Sequence, residues 1–450
     1  MSTGLTFQKY LMSGRRSFTV VPKEPHPIDF CSMKRDSLYN LLGNGIPIII
    51  AIFTIPYLLG TLGDEHFGVL TLQWSLVGYF GIFDLGVGRA MTYEVSRAGK
   101  SSRDALLRLI RSGLVLTLLT GVAGMFIVGL GVLAFWLLHI RLDVSNDYLT
   151  SFAIISLAII PTTTSSSLRG VLEGFGNFRD TNIFRAALGA MMFLFPVASI
   201  ALGFQAMTSI ACSLVFARLI VCCYLLILLH DVVFTSTTLN TADICAIVGY
   251  GGWVTVSSIL SPLMVYGDRF IVSMFLGAGL LPFYTIPQEG LSRLLLYPTA
   301  IATALMPRFS SMTDVGKIRV IYYRYFRQVG LSMGVVCFLA AFFAYPILAY
   351  WLNEAFAKQA VTVCIVLSCG VWLNSLAQLP ATLLHSLGKP RITALLHSFE
   401  TLIYIFMIII GVNAFGILGA AIAWTVRVTI DFIALQTITI YYFSNISIQD

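Results

Sequence analysis

Apolar residues in this chain neither alternate at the period of a strand nor gather on one stripe at the period of a surface helix. They run on. Unbroken hydrophobic stretches recur from about position 38 to position 441, each long enough for a helix to cross the ~30 Å hydrocarbon core of a bilayer. About twelve segments are predicted, at roughly 38–60, 67–92, 108–138, 149–171, 182–203, 206–229, 245–275, 281–306, 323–351, 360–386, 392–412 and 416–441. Continuous runs exclude a membrane barrel, whose strands alternate, and lipid admits only helices and closed barrels. The predicted fold class is an all-α polytopic membrane protein with about twelve transmembrane helices.

The polar breaks carry a second pattern. Arg97, Lys100, Arg103, Arg108 and Arg111 follow the second segment, and Arg169 and Arg179 the fourth. Arg308, Lys317, Arg319, Arg324 and Arg327 follow the eighth, and Lys389 and Arg391 the tenth. The opposite breaks hold little positive charge beyond Arg141 and Lys358. The positive-inside rule then puts both termini in the cytoplasm. The net charge of +7 is thus a topological signal and predicts no nucleic-acid partner. Breaks on the external side are short, which leaves no room for a soluble catalytic domain and argues against an enzyme. Residues 1–37 are polar and basic, with Pro22, Pro25 and Pro27, and read as a cytoplasmic, disordered extension without a cleavable signal.

A weak repeat of about 212 residues runs through the chain. Leu62-Gly63 matches Leu276-Gly277, and Leu172–Arg179 resembles Leu384–Arg391. Pro47 and Pro262 take similar places, as do Arg218 and Arg427. Six segments per half gives both halves the same orientation, hence two six-helix lobes related by a pseudo-two-fold axis along the membrane normal. The predicted boundaries are 38–230 for the first lobe, a polar Ser/Thr/Asn linker at 231–243, and 244–450 for the second.

Against this apolar background a few residues stand out. Arg218, Arg269, Arg293 and Arg427 lie inside apolar segments, where arginine costs roughly 2.5–3.5 kcal/mol on insertion scales and faces a bundle interior or a watery cavity. Their shared sign points to an anionic ligand, so all four are candidate substrate-binding residues. Glu289 stands one turn before Arg293, and Asp431 one turn after Arg427, on a shared face in each case. Such pairs either stabilise packing or let a substrate anion and a proton compete. Glu289, Asp268 and Glu400 are candidate ion-coupling groups; Glu400 shares its face with His397 and Tyr404. Arg269, near the external end of its segment, could instead snorkel to the interface. Asp84 and Asn44 are candidate gating or cavity residues, Asp84 being equally readable as a helix-end residue. The cysteines have no metal-ligand spacing, and neither a nucleophile–base constellation nor a phosphate-binding Gly-Lys-Ser/Thr loop is present. No metal, cofactor or catalytic residue is expected.

Phe67-Gly68-Val69-Leu70 and Phe83-Asp84-Leu85-Gly86-Val87-Gly88-Arg89-Ala90 resemble the signature of bacterial polysaccharide flippases, which move O-antigen or capsule repeat units. Gly267-Asp268-Arg269-Phe270-Ile271, Tyr284, Met306-Pro307-Arg308-Phe309-Ser310 and Leu387-Gly388-Lys389-Pro390 extend the likeness, as does the run Phe415–Ala423. That family sits within the multidrug/oligosaccharidyl-lipid/polysaccharide exporter superfamily. The resemblance implies two lobes around a cavity that opens alternately to each side of the bacterial inner membrane. The implied cargo is an undecaprenyl-pyrophosphate-linked oligosaccharide, with a proton or sodium ion as coupling partner. Membrane lipids, a polysaccharide polymerase and a chain-length regulator are further implied partners. Two other readings predict different residues. A cation-coupled drug exporter of the same fold would have an acidic cavity; a membrane glycosyltransferase or polymerase would have a large external catalytic loop.

Overall fold

The structure, a computed structural model, describes residues 30–98, 103–139, 145–234, 240–312 and 314–446. Most of the predicted N-terminal extension (1–29), together with Lys100 and Arg141, lies outside them. Every regular element among the described residues is helical. Among the described residues eight helical stretches are long and apolar enough to cross a membrane, fewer than the twelve or so segments predicted. Two of these, Gly43–Asp84 and Arg391–Ser444, are broken internally at a glycine.

In chain order the helices are α1 (Phe30–Tyr79), α2 (Val87–Ala98), α3 (Arg103–His139), α4 (Asn146–Ser156), α5 (Ile159–Gly174), α6 (Phe178–Ala201), α7 (Met207–Leu228) and the short α8 (His230–Val233). There follow α9 (Thr241–Leu276), α10 (Pro282–Ser292), α11 (Leu296–Ser311), α12 (Val315–Phe342), α13 (Ala344–Trp351), α14 (Glu354–Ser386) and α15 (Pro390–Ile446). Large apolar side chains stay uncovered on these helices, among them Leu119, Phe126 and Ile127 on α3 and Leu331, Phe338 and Phe342 on α12. On a chain that crosses lipid such faces need no protein cover, because the solvent there is hydrocarbon.

The backbone repeats where the sequence does. Gly63 and Gly277, Gly176 and Gly388, and Gly203 and Gly416 all have positive φ, and the pairs stand 214, 212 and 213 residues apart. Each marks the reversal between two successive helices, where a left-handed residue is needed and only glycine takes it without strain. Helix starts follow the same offset, Arg103 with Val315 and Phe178 with Pro390. The short 3₁₀ turn at Phe80–Asp84 is matched by one at Arg293–Leu295, 213 residues on, but its exit through Leu85 and Gly86 at positive φ (49° and 73°) is not repeated among the described residues.

The described residues fall into two compact units. One gathers the chain up to Tyr57 and from Leu76 to Ile259; the other holds Leu58–Ser75 and everything from Leu260. A lobe boundary at 231–243 therefore falls within the first unit, and positions 235–239 are outside the described residues. In the first unit α5 is central, packed against α2, α3 and α7. Its Leu168, Val171 and Leu172 meet Met91, Ile110 and Leu225 in one buried cluster. In the second unit α14 takes that place, against α10, α11, α12 and α15.

Close helix approaches rest on glycine. A Cβ at Gly170 would land on the Gly88 carbonyl, and Cβ atoms at Gly411 and Gly419 would each land on the other's carbonyl, where α15 folds back on itself around Gly416. Gly419→Ala is expected to force those two arms apart and to cost about 1–3 kcal/mol, the range for overpacking a tight contact. A lowered unfolding midpoint of the purified protein checks this; an unchanged midpoint would mean the arms separate freely.

Candidate functional site

Polar side chains inside an apolar bundle must find partners or be paid for by other interactions, and in the second unit they find each other. The Gly277 reversal lays α10 beside the end of α9, so that Tyr284 and Gln288, one turn apart, both reach Asp268. Asp268 is 1% exposed. Its Oδ2 accepts from Tyr284 Oη at 2.6 Å, Gln288 Nε2 at 3.1 Å and Tyr404 Oη at 3.1 Å. Its Oδ1 accepts from the Arg269 backbone N–H at 2.8 Å. Four donors converge on one carboxylate.

Arg269 is buried beside it. Its guanidinium donates to Glu289 Oε1 at 2.6 Å and Ser75 Oγ at 3.2 Å and lies over the Tyr266 ring at 5.2 Å. Glu289 also receives Arg293 at 3.3 Å, through its other oxygen. The i,i+4 pairing of Glu289 with Arg293 is thus present, but the nearer partner is Arg269, which the helical spacing alone could not indicate. Snorkelling of Arg269 does not describe a side chain only 6% exposed.

Tyr404 links this group to α15. The Arg427 guanidinium sits over its ring at 5.4 Å. One turn before Tyr404 lies Glu400, 3% exposed, and neither of its carboxylate oxygens has a hydrogen-bond partner. His397 Nε2 and Asp431 Oδ1 are 3.3 Å apart. The sequence pattern pairs Asp431 with Arg427, one turn away. In the structure Asp431 instead turns to His397 across the fold of α15, while Arg427 goes to the aromatic face. One nitrogen or oxygen from each of His397, Glu400 and Asp431 lies within 4.8 Å of the others. Among the described residues this is the group with the donor set to hold a cation.

The remaining candidates belong to the first unit. Arg218 donates to Thr162 Oγ1 at 3.4 Å. Asp84 accepts the Gly88 backbone N–H at 3.1 Å and the Ser166 hydroxyl at 3.0 Å, which makes it the cap of α2. Asn44 is exposed on α1. Carried along the chain at the 213-residue offset of Gly203 and Gly416, Arg218 falls opposite Asp431, one turn past Arg427. Thr162 and Ser166, which meet Arg218 and Asp84, belong to a run of six consecutive hydroxyl residues of α5, Thr162–Ser167. That run and Gln288 escape a reading that looks for charge, although six hydroxyls in an apolar segment are signal enough.

Sequence and structure comparisons bear on this geometry. A family model described as "Polysaccharide biosynthesis protein" matches residues 33–313. A Shigella flexneri protein named "Putative O-antigen transporter" is 32% identical over 415 residues, covering 90% of this chain and 97% of that protein. An inward-facing multidrug resistance MATE family transporter of the MOP superfamily superposes with a TM-score of 0.75, at 14% identity, over 92% of this chain and 95% of its own. A MOP superfamily transporter from Pyrococcus furiosus Vc1 gives 0.65, also at 14% identity, over 92% and 95%. At that identity the likeness carries the fold alone. The chain belongs to the polysaccharide biosynthesis protein family and has the fold of the MATE transporters.

Proposed function

We propose that this protein moves undecaprenyl-pyrophosphate-linked oligosaccharide repeat units across the bacterial inner membrane by alternating access, for O-antigen, capsule or exopolysaccharide assembly. The observation that carries the proposal is the near full-length match to the Shigella flexneri protein, which bears the name of an O-antigen transporter. The arginines support it chemically. A guanidinium presents a planar fork of donors that suits phosphate and carboxylate oxygens, and a pyrophosphate crossing a membrane needs such donors to replace water.

In this reading Arg218, Arg293 and Arg427 bind the anionic part of the cargo. Arg269, engaged by Glu289 and Ser75, holds the frame beside Arg293 rather than the cargo itself. Twelve crossings put both termini in the cytoplasm. A coupling ion, proton or sodium, resets the carrier at one of the acidic groups Glu289, Asp268 or Glu400.

Deleting the gene in its host should remove surface polysaccharide and leave lipid-linked repeat units trapped on the cytoplasmic side, detected by protection from an external glycosidase. Unchanged surface polysaccharide with increased drug sensitivity would instead support a drug exporter of the same fold.

A further inference from the structure

We infer that His397, Glu400 and Asp431 form a proton-binding site in which one proton is shared between the Glu400 and Asp431 carboxyl groups. The inference deepens the ion-coupled reading above, for it selects one acidic group out of three and a proton over sodium.

The three acidic candidates differ in what surrounds them. Asp268 accepts from Tyr284, Gln288, Tyr404 and the Arg269 backbone. Glu289 is held by Arg269 and Arg293. Both have the donors that an ionised carboxylate requires, and protonating either would break hydrogen bonds already made. Glu400 is the opposite case: 3% exposed, with neither oxygen receiving a donor hydrogen, and its neighbour is another carboxyl, that of Asp431. An ionised carboxylate in that position is unpaid for. Asp431 Oδ1 likewise accepts no hydrogen bond. Two carboxyl groups whose oxygens come within 4.8 Å of each other repel when both are ionised, and a proton between them removes that repulsion. A single proton resolves both defects, because Glu400 protonated is a donor and Asp431 ionised is its acceptor.

The groups around the pair fix which cation fits. His397 lies beside Asp431, and His385 of α14, bound to Thr393, acts on His397 in turn. Arg427 acts electrostatically on both His397 and Glu400. Tyr404 stands between this cluster and Asp268, and Tyr284 of α10 meets Asp268 from the far side. With one proton, the two carboxyls carry a single negative charge, which the Arg427 guanidinium cancels. A divalent metal would add two positive charges beside Arg427 and leave the site charged in an apolar bundle. The imidazole, suited to zinc-like ions, is a poor ligand for sodium.

The test uses the full chain in lipid nanodiscs. Infrared difference spectra between acid and alkaline buffer should contain the carbonyl stretch of a protonated carboxyl, shifting on exchange into heavy water. Glu400→Gln should abolish that band, and Glu289→Gln should leave it in place. Because Glu400→Gln could misfold, Asp431→Asn is the second variant, expected to lose the pH dependence of the band, with size-exclusion profiles read alongside. Calorimetric titration with NaCl and with ZnCl₂ should give no heat that depends on Glu400. The inference is overturned if the wild type has no such band, if the band survives both substitutions, or if sodium or zinc binds the wild type but not Glu400→Gln. The flippase reading stands or falls separately: a band without oligosaccharide transport sinks the reading and spares the site, and transport without a band does the reverse.

Discussion

Arg269→Met is expected to destabilise the second unit by about 3 kcal/mol, the lower end of what removing one partner from a buried ion pair costs. The lower end applies because Glu289, the stranded partner, is 41% exposed and keeps Arg293. The loss also includes the attraction between the guanidinium and the neighbouring Asp268 carboxylate, 1% exposed. Thermal unfolding of the purified protein measures it. Adding Glu289→Gln to Arg269→Met should cost less than the sum of the two single changes, since the pair shares one interaction. Additive losses, or an unmoved midpoint in the single variant, would show that the network is not cooperative.

The second large effect concerns transport rather than stability. Arg218→Glu and Arg293→Glu should each slow repeat-unit export on the order of 100-fold, because a hydrogen bond to a charged group contributes about 1.5–3 kcal/mol and reversal adds repulsion. Arg218→Lys keeps the charge but loses the planar fork, so export should fall by only about tenfold. Surface polysaccharide, normalised to the amount of protein in the membrane, is the readout. Wild-type polysaccharide from both reversals would remove the arginines from the substrate path.

The sequence made much of the fold legible because lipid leaves a helix few options. Continuous apolar runs report the crossings directly, and Leu62-Gly63 against Leu276-Gly277 reports the repeat because a reversal needs left-handed backbone and so needs glycine. The site was legible in its members more than in its connections. Asp268, Arg269, Glu289, Arg293, Glu400 and Arg427 are visible as charges in apolar segments. Which of them touch is decided by the fold of α10 onto α9 and of α15 onto itself. Helical spacing offers Arg427–Asp431 and Glu289–Arg293 as equals. Only tertiary packing turns Asp431 to His397 and brings Arg269 nearer to Glu289 than Arg293 stands. Gln288 and the hydroxyls of Thr162–Ser167 carry no charge, and a search for expensive residues passes over them.

The protein's role is tested most directly in proteoliposomes that hold the purified chain and an undecaprenyl-pyrophosphate-linked oligosaccharide, with an impermeant glycosidase outside. Under an imposed proton gradient the oligosaccharide of the inner leaflet should become accessible with the wild type and stay protected with Arg218→Glu. An inner-leaflet pool that stays protected with folded wild-type protein, in the same vesicles that expel a cationic dye, would contradict the account.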